Sequence, residues 1–373
     1  MSPLLLLVPA FTLRVWLLLR QRRALRTGAA GGYARAVVTQ RGAQQLWQWL
    51  SALLLLLAAT RIEALEQDIG ATAMLFALVV AGWFWGLPTK AWKVFGTDAR
   101  HGFNRLTPLR FLREQALHSL LFAALALPAA AIAVVVFQRA GAWWWLPLWA
   151  LGWLGFAGLR WIQPRYVAPL FDVVEPLPEG ALRTRLQSLL TRCGVAEQRL
   201  FLMRASARTA QANAQVTGGL AAPRIVLMDT LIHRLEPDEI EAVVAHELGH
   251  LQRGHLRFQM LMLGGLWWVM LAVIALLTAE VPAIAPKLAL AWAMTPSAWL
   301  FVQPYANAIY RRFEFEADEA AAESSSAAAM ARALRTLTRN NANATHSDRW
   351  YEWIYHTHPA TSVRLARLER PAS

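Results

Sequence analysis

The string His246-Glu247-Leu248-Gly249-His250 sets two imidazoles four residues apart, with a carboxylate beside the first. On a helix, positions i and i+4 share a face, so both rings can offer a nitrogen to one Zn²⁺. Glu247 stands next to that metal without being a ligand. A carboxylate there can take a proton from a water that the metal has acidified toward a pKa of about 7. The bland alternative is a pair of histidines satisfied within an ordinary helix. A catalytic zinc needs a third protein ligand and one open position. Glu314 and Asp318, in Arg311-Arg312-Phe313-Glu314-Phe315-Glu316-Ala317-Asp318, again stand at i and i+4. Glu314 is the expected third ligand and Asp318 an acceptor that orients a ligand from behind. Glu316 points off that face and reads as solvated. His255, five residues past His250, also lies off the metal face and reads as structural. His101, His118, His233, His346 and His356 lack a matching partner set. Cys193 is the only cysteine, which excludes an intramolecular disulfide or a Cys-based cluster, and it reads as a small buried side chain.

Elements with the right signals surround these residues. Pro237 opens a helix with Asp238 and Glu239 in its first turn, and Ile240, Val243, Val244, Leu248 and Leu251 give it an apolar face. The wider chain is not that of a soluble enzyme. Of its 373 residues 56% are hydrophobic and 16% charged, against the usual 45–50% and about 25%. A soluble two-domain architecture, disorder and a disulfide scaffold are thereby excluded. Seven apolar segments, 3–19, 45–60, 71–92, 116–137, 142–162, 258–279 and 288–310, are long enough or nearly so to cross a bilayer. The first has its arginines after the apolar run rather than before it, the reverse of a cleavable signal, so an anchor with its N-terminus outside is expected.

The 37 Lys+Arg against 24 Asp+Glu leave a net charge of +13. The loop after the first segment carries Arg20, Arg22, Arg23, Arg26, Arg35 and Arg41 without an acid, and that after the third carries Lys90, Lys93, Arg100, Arg105, Arg110 and Arg113. The intervening loops are poor in positive charge. Rich and poor loops alternate, which orients seven spans with the C-terminus inside. The arginines are then topology determinants, and nucleic acid is not an expected partner. Glu314 returns to the same side of the membrane as His246 and His250, an agreement the topology was free to break.

Two stretches are not membranous. Residues 163–254 open with Pro164, Pro169, Pro176 and Pro178, continue with a helical pattern over 181–193, and then show β-type runs at 199–203, 213–217 and 224–228. Gly218, Gly219 and Pro223 read as breakers. Residues 311–373 are Ala-rich and helical, with 324–326 and 340–343 read as loops. The expected divisions are 1–162, 163–257, 258–310 and 311–373.

These residues together resemble a known family, the integral-membrane zinc metalloproteases of the type I CAAX prenyl protease (Ste24-like) kind. The resemblance rests on Arg224-Ile-Val-Leu-Met-Asp-Thr-Leu231 leading into His246–His250, on Glu314-x-x-x-Asp318, on His358-Pro359 with Arg364 six residues after the histidine, and on Gly102-Phe-Asn-Arg-Leu-Thr-Pro108. It implies a membrane α-helical fold: seven helices enclosing a water-filled chamber, and a gluzincin-type α+β catalytic domain with zinc at the cytoplasmic end. It also implies a substrate peptide laid as an added strand on a sheet edge matching Ala212-Asn213-Ala214, a mode in which backbone hydrogen bonds supply binding. By that match Asn213 holds the substrate backbone, His358 and Arg364 contact the scissile region, and His358 donates to the developing oxyanion. Taken as residues alone, Asn213 also reads as a turn residue and His358 as a cap beside Pro359. Gln215 and Leu251 depart from the resemblance, each standing where an aromatic is usual. The end of the chain, Arg370-Pro371-Ala372-Ser373, carries no ER-retrieval signal, and the Ala/Arg/Trp-rich style suggests a bacterial inner membrane, which leaves open whether CAAX names the substrate or only ancestry.

The expected function is a zinc-dependent membrane endopeptidase acting on membrane-associated proteins, lipidated or misfolded ones included. Its rivals are a catalytically silent chaperone or scaffold, for which Glu247 has no use, and a metal transporter. Charges within spans mark a transport path, and only Arg14 sits mid-span.

Overall fold

The computed structural model describes residues 3–27, 32–195, 199–217, 224–342 and 347–370. The apolar runs of the first half become α1 (Leu4–Thr27), α2 (Gly32–Leu57), α3 (Ala59–Ile69), α4 (Ala71–Trp85), α5 (Leu87–Ala91), α6 (Pro108–Ala140) and α7 (Trp145–Ile162). The start of α6 is written locally: Pro108 is its first residue, and the Thr107 hydroxyl accepts from Arg110 N. The outer faces of these helices are apolar. Leu57 is 72% exposed and Leu120 68% exposed, the inverse of a water-soluble pattern and the one a bilayer selects.

Among the described residues, four helical stretches are long and apolar enough to cross a membrane: Leu4–Arg26, Ala71–Asp98, Pro108–Trp143 and His255–Leu277. The pair α2–α3, bent by 67°, raises the number to five if taken as one broken span. The seven spans expected from the sequence are therefore not reached. The two that fall short are α7 and α12 (Ile284–Ala321). The first is diluted by four tryptophans, three glycines and a proline. The second carries Lys287, Pro296, Pro304 and Asn307 and is mostly buried. It packs against α1, α2, α4 and α11 (His255–Leu277) as the central post of the bundle. Arg14 is buried, and its guanidinium donates to the carbonyl of Pro296 in that post. The mid-span charge thus holds two helices together.

The remaining elements form the catalytic end: β1 (Val174–Pro176), α8 (Ala181–Arg192), β2 (Leu200–Met203), β3 (Ala214–Thr217), β4 (Arg224–Met228), α9 (Asp229–Ile232), α10 (Pro237–Gln252), α13 (Ala327–Asn340), α14 (Arg349–Tyr355) and α15 (Thr361–Leu368). The four strands run in the order β1-β2-β4-β3, with β2 and β4 parallel and the outer pairs antiparallel. β3 is thus an edge strand, in register Ala214 to Leu227 and Thr217 to Arg224 against β4. Leu186, Leu189 and Leu190 of α8, Ile225 and Leu227 of β4, and Ile240, Val244 and Leu248 of α10 close one core with α13. Each such aliphatic side chain contributes about 1.5–3 kcal/mol by leaving water, so the apolar face of α10 locks the metal helix to the sheet. Residues 324–326 are not a loop: Ala322–Ser326 form a π-helical turn, and the Ser326 hydroxyl then caps α13 by accepting from Ala329 N. Gly218, Gly219, Pro223 and Asn343 lie outside the described residues, as do Pro371, Ala372 and Ser373.

Candidate metal centre

The start of α10 is fixed by a reciprocal cap, in which the Glu236 side chain accepts from Glu239 N and Glu239 Oε2 accepts from Glu236 N at 3.1 Å. Two turns on, the helix meets α12 almost backbone to backbone. A Cβ at Gly249 would lie 2.8 Å from the Ala320 Cβ and 3.1 Å from the Ala317 Cα. This approach carries His246 and His250 to Glu314. Gly249→Ala is therefore expected to force α10 from α12, at about 1–3 kcal/mol of overpacking, and to lower bound metal measured by elemental analysis after dialysis.

The Nε2 atoms of His246 and His250 are 3.2 Å apart. Glu314 Oε2 lies 3.6 Å from His246 Nε2, and Glu314 Oε1 lies 3.5 Å from His250 Nε2. The edges of a tetrahedron with zinc–ligand bonds of 2.0–2.2 Å measure roughly 3.3–3.6 Å, so the three donors have the spacing that one ion would require. Glu314 Oε2 is buried without a hydrogen bond of good geometry, with His358 Nδ1 at 2.8 Å and the Arg364 guanidinium at 3.2 Å beside it. The residues fit a metal ion.

Electrostatics prepares the same donors. Burial pushes the Glu314 carboxyl up, but its contacts with His250 and His358 outweigh that and hold it well below the usual carboxylate range. Asp318 follows the same balance. Burial raises it, whereas the His246 imidazole and the Arg364 guanidinium keep it ionised. Arg364 donates two hydrogen bonds to Asp318, Nε to Oδ2 at 2.7 Å and Nη2 to Oδ1 at 2.6 Å, while Asp318 Oδ1 lies 3.0 Å from His246 Nδ1. The last pair is in contact but off the axis a ring N–H would use. Burial drives Glu247 upward, against the pull of the two histidines and the Val216 N–H.

A cavity of about 430 Å³ opens on this cluster. Its walls include His246, Glu247, His250, Glu314, His358 and the edge-strand residues Asn213 to Val216. Gln215 and Leu251, the two departures, are both in its wall. Asn341 fastens the segment entering the edge strand, donating to Ala212 O at 2.9 Å and accepting from Ala212 N at 3.0 Å. Six of the eight sequence-nominated residues, Asn213, His246, Glu247, His250, Glu314 and His358, line this cavity, with Asp318 directly behind. Arg364 is brought to the assembly but not to the cavity: it is 7% exposed, behind Glu314 and Asp318.

Residues 176–372 of the chain match the model of Peptidase family M48. The chain belongs to that family. Residues 33–173 match a second model, described as CAAX prenyl protease N-terminal, five membrane helices. Over 320 residues this M48 peptidase is 29% identical to the CAAX prenyl protease 1 homolog of Oryza sativa subsp. japonica, covering 83% of this chain and 75% of that one. It is 26% identical over 314 residues to CAAX prenyl protease 1 of Saccharomyces cerevisiae, covering 76% and 68%. The crystal structure of S. mikatae Ste24p shares its fold, with a TM-score of 0.86 over 98% of each chain at 21% identity. The protein is an integral membrane metalloprotease, and neither the transporter nor the scaffold reading is carried further.

Two residues of this M48 peptidase were underrated from sequence. His255, read as lying off the metal face, is placed against it, with its Nδ1 2.9 Å from Nδ1 of His250. Glu316 is not simply solvated: its Oε2 lies 3.0 Å from His255 Nε2, and its Oε1 accepts from Arg312 Nε at 2.7 Å. The signal that places His255 is Gly254, whose φ of 68° is a left-handed turn that ends α10 and folds the next residue back over its last turn.

Proposed function

We propose that this M48 peptidase is a zinc endopeptidase that cleaves membrane-associated proteins, lipidated or misfolded ones included, on the cytoplasmic side of a bacterial inner membrane, with its N-terminus outside. The observation that carries the reading is the convergence of His246, His250 and Glu314 at tetrahedral spacing, with the Glu247 carboxylate in the same cavity wall. His246, His250 and Glu314 would hold one Zn²⁺, which acidifies water and polarises a peptide carbonyl. Glu247 takes the proton from the attacking water and passes it to the leaving amine. Asp318 orients His246, and Arg364 holds Asp318 and Glu314 from behind. His358, against Glu314 Oε2 and 65% exposed at its side chain, is near enough to swing a donor toward the oxyanion. The outer edge of β3, whose Val216 N–H meets the Glu247 carboxylate, suits an extended peptide added as a fifth strand, with Asn213 at its entrance.

The relatives are named CAAX prenyl proteases, which makes a prenylated peptide the substrate to set beside an unmodified casein-like one. Dialysis of detergent-purified protein against a strong chelator is expected to abolish cleavage of whichever peptide it accepts. One equivalent of zinc is expected to restore it. Full activity in rigorously metal-free protein would end the proposal.

A further inference from the structure

A neutral imidazole carries its single ring proton on one nitrogen or the other, and only the bare nitrogen can bind a metal. For His250 to bind through Nε2, as the spacing to His246 and Glu314 requires, its proton must sit on Nδ1. That proton needs an acceptor in a part-buried place. The atom opposite is another imidazole nitrogen, His255 Nδ1 at 2.9 Å, which is an acceptor only if the His255 proton is on Nε2. His255 Nε2 lies 3.0 Å from Glu316 Oε2, and an ionised carboxylate can only accept. Arg312, donating to the other Glu316 oxygen, favours that ionised form.

The hydrogen bonds thus have one consistent direction: His255 Nε2–H to Glu316, then His250 Nδ1–H to His255 Nδ1, leaving the His250 Nε2 lone pair facing His246 and Glu314. The geometry points to His255 and Glu316 as positioning residues that fix the metal-binding tautomer and ring plane of His250. The assignment rests on the zinc reading above and deepens it.

Packing agrees with this role. His255 is 2% exposed and stacks on Phe313, with ring centroids 4.0 Å apart and planes 9° from parallel. Phe313 precedes Glu314 on α12, so the ring that orients one ligand is clamped by the neighbour of another. The left-handed Gly254 sets His255 at the start of α11 rather than further along α10. The two histidine ligands are also served separately, His246 by Asp318 and His250 by His255 with Glu316. A carboxylate thus stands behind each histidine, in contact with His246 and at one remove through a second imidazole from His250.

The test is zinc affinity of the full-length, detergent-purified protein, measured by competition with a chromogenic chelator, so that it reads binding rather than turnover. His255→Phe keeps the stacked ring and removes the acceptor; affinity is expected to fall about 10–100-fold. His255→Asn returns an acceptor oxygen close to the position of the lost Nδ1 and is expected to recover most of the affinity, which restored packing alone would not do. Glu316→Leu is expected to weaken binding in the wild-type background but to have no further effect in His255→Asn. Zinc bound by His255→Phe as tightly as by the wild type overturns the assignment; should that variant fail to fold, undiminished affinity in Glu316→Leu does so. Failure of the wild type itself to bind zinc would instead overturn the zinc reading.

Discussion

Glu247→Gln is expected to leave zinc bound one to one and the fold intact while slowing peptide cleavage by about 10²–10⁴-fold, with the loss in kcat rather than KM. The substitution keeps the size and shape of the side chain, so packing around α10 is unchanged. It removes only the capacity to accept a proton. Metal retention follows from the geometry, because the three converging donors belong to His246, His250 and Glu314, and Glu247 is outside the set. Burial pushes the Glu247 carboxyl upward, against the opposing influence of His246 and His250. Paired measurements decide between two failures. Unchanged cleavage by zinc-loaded Glu247→Gln would mean that another group moves the proton. Loss of zinc from it would mean that Glu247 is a ligand after all.

Sequence patterning revealed the parts of this centre that obey helical periodicity. His246 with His250 and Glu314 with Asp318 are pairs at i and i+4 within unbroken helices, so spacing alone puts each pair on one face. Helical periodicity cannot see past a helix end. Continued along α10, His255 would stand about 140° around the axis from His250; the Gly254 turn instead lays its ring against that of His250. Glu316 is off the Glu314 face, as its spacing says, yet it meets α11 rather than water. The edge position of β3 is a fact of strand order, invisible in the alternation of Ala214 to Thr217. Span counting from the sequence and from the helices differs for a related reason. Hydrophobic runs mark what leaves water, whether for lipid or for protein, and α12 leaves it chiefly for protein.

Arg364→Met is expected to cost about 3–5 kcal/mol of stability in metal-free protein, and distinctly less once zinc is bound. Arg364 is the guanidinium within reach of both Asp318 and Glu314, at 2.6–2.7 Å and 3.2 Å. These carboxylates are 4% and 6% exposed. Methionine fills much of the arginine stem's volume, so the penalty is not a cavity but two buried anions stripped of their cation. With zinc present, part of the lost positive charge is resupplied at Glu314, though not at Asp318. Unfolding of a membrane protein in detergent is commonly irreversible, so the reading is the half-life of the folded, monodisperse fraction by size exclusion against temperature, with chelator and with excess zinc. The chelated variant should lose its folded, monodisperse form at a markedly lower temperature than the chelated wild type, and zinc should narrow the gap. Adding Asp318→Asn to Arg364→Met should recover part of the loss, because it removes one of the unpaired charges. An equal gap with and without zinc, unrelieved by Asp318→Asn, would show that Arg364 acts by packing α15 onto α12 and not through the charges behind the metal ligands.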